Sequence, residues 1–259
     1  MKPFLQTVRD LCFPPRCVGC GDRLPPSVGM KKAPFFCPVC APLWEQSLLS
    51  QCPDCFAAYC DCRCQPKIME RAGSLGLIKL APYTDAGEHA TVRRAVYGMK
   101  RSPRSRTFNC CAEELAPALC RTVEKQNEKT PISHTVITYL PRSRKSVRRY
   151  GFDQARELAK CLSRLTDYPC LSLLERVKDG TEQKTLTVKE RQSNLKGAFR
   201  AVNSAEGCRV ILVDDLVTTG AGMAEGVRVL RKNGAAEVLS VSVAVTPKKY
   251  SRETLAKFS

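Results

Sequence analysis

The sequence predicts an α/β protein with a parallel sheet and a small cysteine-rich unit at its N-terminus. Apolar runs at residues 135–140 and 210–213 are typical of strands that are buried on both faces of a sheet. Segments with helical spacing separate these runs, and ten of the sixteen cysteines precede residue 65. Because 259 residues exceed the common size of one domain, we expect two domains, residues 1–68 and 69–259.

The charge of the chain is strongly positive and unevenly distributed. The formal net charge is +17, and residues 131–209 contain 16 Lys and Arg against 8 Asp and Glu. A surplus of this size indicates an acidic partner, either a polyphosphate or a nucleic acid, although a solvated basic face is the simpler alternative. Neither a run of eighteen apolar residues nor a signal peptide is recognisable, so we expect a soluble, cytoplasmic protein without membrane insertion.

The N-terminal cysteines occur mostly as Cys-x-x-Cys pairs. Each pair can place two thiolates on one tetrahedral zinc ion, and two pairs complete a closed structural site. Disulfides are the alternative, but they belong mainly to secreted proteins. We therefore predict two structural zinc ions, which would supply much of the folding free energy of this core-poor segment.

The spacing leaves the pairing of these cysteines open. Joining the first pair to the second is the simplest first site, although an interleaved arrangement is possible. A second site needs the third pair and two of Cys60, Cys62 and Cys64, and the sequence does not decide which two. The predicted ligands are Cys17, Cys20, Cys37, Cys40, Cys52, Cys55, Cys60 and Cys64.

Residues 65–140 are expected to begin the α/β core. A strand is predicted at residues 74–83, helices at 91–100 and 107–124, an exposed turn at 125–130 and a strand at 135–140.

A basic segment follows at residues 141–155, where five of the first nine residues are Arg or Lys. If strand 135–140 lies beside strand 210–213 in a parallel sheet, this segment reaches the carboxyl edge, where α/β folds bind ligands. Arg142 and Arg144 could then neutralise a pyrophosphate group; an exposed basic loop is the alternative. The next helix should begin near Asp153, with Asp153 or Gly151 as its cap.

Residues 176–200 form a long polar segment that we interpret as a mobile lid over an active site. A disordered loop is the alternative interpretation. Its candidate anion contacts are Gln183, Lys184, Arg191, Asn194 and Lys196.

The most informative segment is residues 210–222, a buried strand that leads through two acids into a turn of small residues. Backbone N–H groups at the start of the helix that follows attract a phosphate, and threonine hydroxyls add donors. The two carboxylates can accept hydrogen bonds from sugar hydroxyls. An ordinary strand-to-helix connection is the alternative, whereas a Walker A loop and a dinucleotide fingerprint are excluded because their glycine patterns are missing.

This acid-acid-x-x-Thr-Thr-Gly segment resembles the phosphoribosyl pyrophosphate (PRPP) loop of type I phosphoribosyltransferases. The whole chain resembles the ComF family of bacterial competence proteins, because it combines that loop with the Cys-x-x-Cys pairs, the GF-Q-A of residues 151–155 and the string from Gln183 to Phe199. The resemblance implies a type I phosphoribosyltransferase-like parallel sheet flanked by helices, with an N-terminal double zinc ribbon.

The resemblance also implies PRPP binding with Mg²⁺ and a role with the competence machinery in handling incoming single-stranded DNA. Asp214 and Asp215 would hold the ribose at the reacting centre. The implied PRPP-binding residues are Asp214, Asp215, Thr218, Thr219, Gly220, Ala221, Gly222, Arg142, Arg144, Lys184 and Arg191. Two classes stay open: a transferase, including a nucleobase-salvage enzyme, and a binding module such as a PRPP-responsive regulator.

Three segments depart from the family pattern. The family usually has Thr where this chain has Gly222, and its Arg-Gly-Phe-Asn-Gln is Tyr-Gly-Phe-Asp-Gln here, with Asp153 as the acid. The family's Pro-Val-Pro before the basic segment is Tyr139-Leu140-Pro141. We expect these changes to alter ligand affinity rather than to abolish the site.

Overall fold

The computed structural model describes residues 13–25, 34–84, 87, 90–101, 106–178 and 195–247. Within these residues, five strands form one parallel sheet. The strands β1 (Ser74–Ile78) and β2 (Ala81–Pro82) both pair with the same edge of β7 (Glu237–Val245), β6 (Arg209–Val217) lies on the other side of β7, and β3 (Thr135–Tyr139) pairs with β6. The predicted parallel pairing of β3 with β6 is therefore confirmed.

Two short strands form a separate antiparallel pair, β4 (Leu174–Arg176) with β5 (Phe199–Ala201). They flank the larger part of the predicted lid, which falls at residues 179–194, outside the described residues. The predicted anion contacts Gln183, Lys184, Arg191 and Asn194 lie in that part, whereas Lys196 is described and exposed.

Seven helices occur in the described residues. They are α1 (Cys40–Leu49), α2 (Lys67–Arg71), α3 (Ala90–Gly98), α4 (Arg106–Lys129), α5 (Arg144–Tyr150), α6 (Gln154–Thr166) and α7 (Ala221–Lys232). The predicted turn at residues 125–130 is wrong, because α4 continues to Lys129 through straight-chain residues that favour a helix. The basic segment also contains a helix, α5, that was not predicted from the sequence.

Helices cover both faces of the sheet, because successive side chains of β6 point to opposite sides. Ile211 and Val213 belong to a buried cluster with side chains of α4 and α6. Val210 and Leu212 pack instead in a second cluster with side chains of α7. All four side chains have 0 % exposure, which explains the continuous apolar run and confirms the predicted α/β fold class.

The cysteine-rich region packs directly onto this core. Trp44 of α1 is 2 % exposed and belongs to the same cluster as Ile211. Its indole Nε1 donates to Glu114 Oε1 of α4 at 3.3 Å. Burial raises the pKa of Glu114 above its usual value, although this hydrogen bond opposes the shift. The proposed domain boundary at residue 68 stays a prediction.

Over the described part of the chain, none of the helices combines the length and the apolar character needed to cross a membrane.

Candidate functional site

The two acids lie within β6, because this strand continues to Val217. The apolar run alone predicts that the strand ends at Val213, with the acids after it. Asp214 is opposite Ser242 of β7 in the parallel register. Asp215 is 6 % exposed, Asp214 is half-buried, and the backbone N–H of Asp215 donates to Asp214 Oδ1 at 2.8 Å. The carboxylates are therefore held by strand geometry and not by a loop.

Neighbouring charges give the two acids different environments. Burial and the negative charge of Asp215 raise the pKa of Asp214 well above its usual value of 3.8. Asp215 instead forms an ion pair with Arg142, whose Nη2 lies 2.5 Å from Asp215 Oδ2. One guanidinium thus offsets part of the charge of the acid pair, and the remaining acceptor oxygens suit hydroxyl donors or a cation.

Asp153 positions Arg142. The backbone N–H of Arg142 donates to Asp153 Oδ2 at 2.8 Å, and that of Arg156 donates to Asp153 Oδ1 at 3.2 Å. Asp153 is thereby the N-cap of α6, and it is one of the two residues predicted for that position. Burial raises the pKa of this carboxyl, although its hydrogen bonds oppose the shift. The negative charge that departs from the family pattern therefore fixes the backbone of the basic segment.

The other predicted arginine of this segment lies at the start of α5. Ser143 caps that helix by accepting a hydrogen bond from the Ser146 N–H at 3.1 Å. Arg144 is its first residue and is exposed. Gly151, the other predicted cap of α6, ends α5 with φ 79°. The basic segment is thus a short helix followed by a left-handed turn.

The predicted phosphate turn joins β6 to α7. Thr218 is exposed, Thr219 is half-buried, and Thr219 Oγ1 accepts from the Ala221 N–H at 3.4 Å. Gly220 precedes α7 with φ 78°, a left-handed conformation that favours glycine. The turn therefore sits at the N-terminus of a 12-residue helix, where unpaired N–H groups and the helix dipole attract anions.

Gly220 also packs against the segment that leaves the second cysteine group. A Cβ at this position would lie 3.0 Å from Pro66 Cβ and from Met69 Sδ. Pro66 precedes α2, two residues after Cys64. The backbone of the phosphate turn therefore contacts the N-terminal region directly.

Leu140 explains two of the departures from the family pattern together. A Cβ at Gly222 would lie 3.2 Å from Leu140 Cδ2, and a Cβ at Gly226 would lie 2.8 Å from Leu140 Cδ1. The two glycines are one turn apart on α7. Leu140 thus fills the space beside α7 that a side chain at position 222 would need.

The buried amide of Gln154, in the GF-Q-A motif, lacks partners. Gln154 is 0 % exposed, and among the described residues neither Oε1 nor Nε2 has a hydrogen-bond partner. Because unpaired buried amides cost free energy, water or a bound group must satisfy them.

Two groups of four cysteines could each hold a metal ion. In each group all four sulfur atoms lie within 4.8 Å of one another, and the groups are Cys17, Cys20, Cys37 and Cys40, and Cys52, Cys55, Cys62 and Cys64. Backbone N–H groups donate to two of the sulfurs, that of Cys37 to Cys17 Sγ at 3.3 Å and that of Cys64 to Cys62 Sγ at 3.2 Å. Four thiolate donors fit a tetrahedral zinc ion.

The second group contains Cys62, whereas the predicted ligand Cys60 lies outside it. The chain turns after Ala58, whose carbonyl accepts from the Cys62 N–H at 2.8 Å. This turn buries Cys62 to 1 % exposure, whereas Cys60 stays half-buried outside the group. Local turn geometry, which the Cys-x-Cys-x-Cys spacing does not reveal, makes the difference.

Lys79 is a site residue that was not predicted from the sequence. It is 2 % exposed, and its Nζ donates to Cys62 Sγ at 3.1 Å and to the Cys64 carbonyl at 2.8 Å. Burial alone raises the pKa of Cys62, but the hydrogen bond and charge of Lys79 lower it to about 7. The available signal was a single lysine inside the apolar run of residues 75–83.

Comparisons with known proteins agree with this site. Residues 146–257 match the family model described as phosphoribosyl transferase domain. Competence protein F of Haemophilus influenzae is 42% identical over 94 residues, which are 35% of this chain and 41% of that protein. Competence protein ComFC of Bacillus subtilis is 34% identical over 110 residues, 42% of this chain and 44% of that protein. The chain thus matches less than half of the length of these two relatives.

Another relative matches over a longer stretch. DNA utilization protein YhgH of Salmonella typhi is 29% identical over 211 residues, which are 78% of this chain and 86% of that protein. Among solved structures, a purine phosphoribosyltransferase from Pyrococcus horikoshii has a TM-score of 0.27 at 19% identity, and covers 49% of this chain and 80% of its own. A hypoxanthine phosphoribosyltransferase from Staphylococcus aureus has a TM-score of 0.32 at 10% identity, with 56% and 68% covered.

The parallel sheet agrees with the match of residues 146–257 to the phosphoribosyl transferase domain. The two four-cysteine groups and the similarity to proteins named for competence and DNA utilization agree with the resemblance to the ComF family that the sequence shows.

Proposed function

We propose that this chain binds PRPP at the turn between β6 and α7 and acts in the uptake and handling of DNA. The observation that carries the proposal is the convergence of three groups at one edge of the sheet. The acid pair lies near the end of β6, the Thr-Thr-Gly turn follows it, and Arg142 reaches Asp215 from beyond the neighbouring strand β3.

Each group has a distinct task in this proposal. The N–H groups at the start of α7, with the hydroxyls of Thr218 and Thr219, bind the 5′-phosphate. Asp214 and Asp215 accept hydrogen bonds from the ribose hydroxyls, which suits acceptor-only carboxylates. Arg142 faces the pyrophosphate, whose charge Mg²⁺ would also neutralise. Because Arg142 forms an ion pair with Asp215, a pyrophosphate at this position would compete with Asp215 for the guanidinium.

The DNA-handling part of the proposal has separate support. The relatives are named for competence and for DNA utilization, and the net charge of +17 suits a polyanion. Zinc in the two cysteine groups would fix the N-terminal region, which has little apolar core of its own. We place the protein in the cytoplasm, where it would meet incoming single-stranded DNA and the competence machinery.

Titration calorimetry with PRPP and Mg²⁺ tests the ribose site. The double variant Asp214→Asn with Asp215→Asn removes two charged acceptors, each worth about 1.5–3 kcal/mol, so the affinity should fall at least about 100-fold. The matched control Glu124→Gln with Glu128→Gln removes the same charge from exposed positions of α4 and should bind as the unchanged protein does. Equal PRPP affinity of the aspartate variant would contradict the ribose site. Release of pyrophosphate on addition of nucleobases would add transfer chemistry to binding.

A further inference from the structure

A cleft lies between the first cysteine group and the start of α4. Its volume is about 440 Å³, and four arginines line it: Arg16, Arg94, Arg101 and Arg106. No acidic side chain of the described residues lines this cleft. None of these arginines belongs to the PRPP site proposed above, so their concentration needs its own explanation.

Two of the arginines hold the cleft together. Arg106 Nη2 donates to the Pro34 carbonyl at 2.8 Å and its Nη1 to the Arg16 carbonyl at 3.4 Å, which ties α4 to the cysteine-rich region. Arg16 Nη1 donates to the Gly21 carbonyl at 3.0 Å. Arg94 and Arg101 are exposed, and within the described residues neither forms an ion pair. Their guanidinium groups are therefore available to anions.

An aromatic ring accompanies these available cations. Tyr97 lines the same cleft and is 59 % exposed, which is high for a large aromatic side chain. The guanidinium of Arg101 lies 5.5 Å from the centre of its ring. An exposed aromatic ring beside arginines is the combination that binds single-stranded nucleic acid, because the ring stacks on a base while the cations contact phosphates.

The walls of the cleft are fixed against each other. A Cβ at Gly19, in the first cysteine group, would lie 2.9 Å from Thr91 Cγ2 of α3. A Cβ at Gly98 would lie 3.3 Å from Thr107 Oγ1 of α4. The cysteine-rich region, α3 and α4 therefore pack closely, which fixes the backbone positions of Tyr97 and the arginines relative to one another.

We propose that this cleft binds single-stranded DNA, with Arg94 and Arg101 on its phosphates and Tyr97 stacked on a base. This inference rests on the proposed function in DNA handling and gives it a location away from the basic segment at residues 141–155. Single strands fit better than a duplex, because bases in a duplex are stacked on one another and cannot reach a tyrosine ring. The alternative role of the arginines is to offset the negative charge of the first cysteine group.

Binding of a labelled oligothymidylate to the zinc-loaded full chain, measured by fluorescence anisotropy over a series of salt concentrations, tests the proposal. A plot of log K against the logarithm of the salt concentration has a negative slope, and each lost phosphate contact makes it less steep by about 0.7 for single strands. Arg94→Gln with Arg101→Gln should therefore flatten the slope by about 1.4 and weaken binding roughly 25-fold at 0.1 M salt. Tyr97→Ala should weaken binding at least about fivefold without changing the slope.

The matched control is Lys125→Gln with Lys129→Gln, which removes the same charge from exposed positions of the same helix that begins at the cleft. These lysines are 19 and 23 residues after Arg106, or about 28–35 Å along the helix, and their loss should leave the slope almost unchanged. Metal content and PRPP affinity of all variants should equal those of the unchanged protein.

The outcomes separate the two proposals. If the unchanged protein binds no single-stranded DNA, the proposed role in DNA handling is wrong. If it binds DNA and the arginine and tyrosine variants bind equally well, the cleft proposal alone is wrong. Should the arginine variant lose metal, Tyr97→Ala decides, because it removes no charge: unchanged binding overturns the proposal. Equal competition by duplex DNA would also overturn it.

Discussion

Gly220→Ala offers a direct test of how the phosphate turn is built. Two separate costs act at this position. The φ of 78° places the residue in the left-handed region, where a side chain costs roughly 1–2 kcal/mol. The added Cβ would also lie 3.0 Å from Pro66 Cβ and Cγ. Because the proline ring cannot rotate away, overpacking adds about 1–3 kcal/mol.

The expected loss of unfolding free energy is therefore about 2–5 kcal/mol. Gly207→Ala is the matched control, because Gly207 has φ 67° and a Cβ there would meet nothing within 4 Å. Gly207→Ala should lower the free energy of unfolding only by the cost of a side chain in the left-handed conformation, about 1–2 kcal/mol. Urea unfolding of the zinc-loaded protein, followed by the fluorescence of Trp44, the single tryptophan of the chain, measures both variants.

The comparison also has a functional readout. Gly220→Ala should weaken PRPP binding, because relief of the contact with Pro66 moves the first N–H groups of α7. Gly207→Ala should leave PRPP binding unchanged. If the two variants lose equal unfolding free energy, the contact of the turn with Pro66 adds nothing to the cost of Gly220→Ala, and the predicted role of this packing is wrong.

Three further predictions concern other parts of the structure. Because the pKa of Asp214 is raised, its contribution to stability is full below the usual value of 3.8 and is lost as pH rises through the raised pKa. Asp214→Asn should therefore stabilise the protein increasingly between about pH 4.5 and pH 8, as measured by urea unfolding. An equal difference in unfolding free energy at both pH values would contradict this. Metal analysis should find about two zinc ions per chain, about one after Cys62→Ser and still about two after Cys60→Ser, whereas the reverse order would restore the ligand predicted from sequence. Arg209 is 0 % exposed and its Nε lies 2.7 Å from Glu237 Oε2, so Arg209→Met should cost about 3–5 kcal/mol in urea unfolding; a loss below about 1 kcal/mol would show that Glu237 needs no partner.

The elements that depend on periodicity could be predicted from sequence. The continuous apolar run of β6 predicts a strand buried on both faces, and the structure places Val210 to Val213 between two clusters of helices. Two local features of the candidate site could also be predicted. Carboxylates next to a buried apolar run are costly without a ligand or cation, which singles out the acid pair, and a left-handed turn before a helix favours glycine. The capping role of Asp153 followed from the same local rules.

Features that depend on three-dimensional packing could not be predicted. The choice of Cys62 over Cys60 follows from a turn after Ala58, and the ion pair of Arg142 with Asp215 needs the neighbouring strand. The cleft beside Tyr97 joins residues about 80 positions apart along the chain, so no window of sequence contains it. Positive charge is a local sequence signal for nucleic-acid contacts, and it is densest at residues 141–149 and not around Tyr97.

The contact of Leu140 with Gly222 also bears on how related sequences should be compared. Because one side chain occupies the space of the other, the two positions do not vary independently. We expect relatives with Thr at the position of Gly222 to carry a smaller residue at the position of Leu140, and relatives with Leu there to keep a glycine. In an alignment, the two differences from the family pattern then represent a single coupled substitution in evolution, and neither alone measures how far this site has diverged.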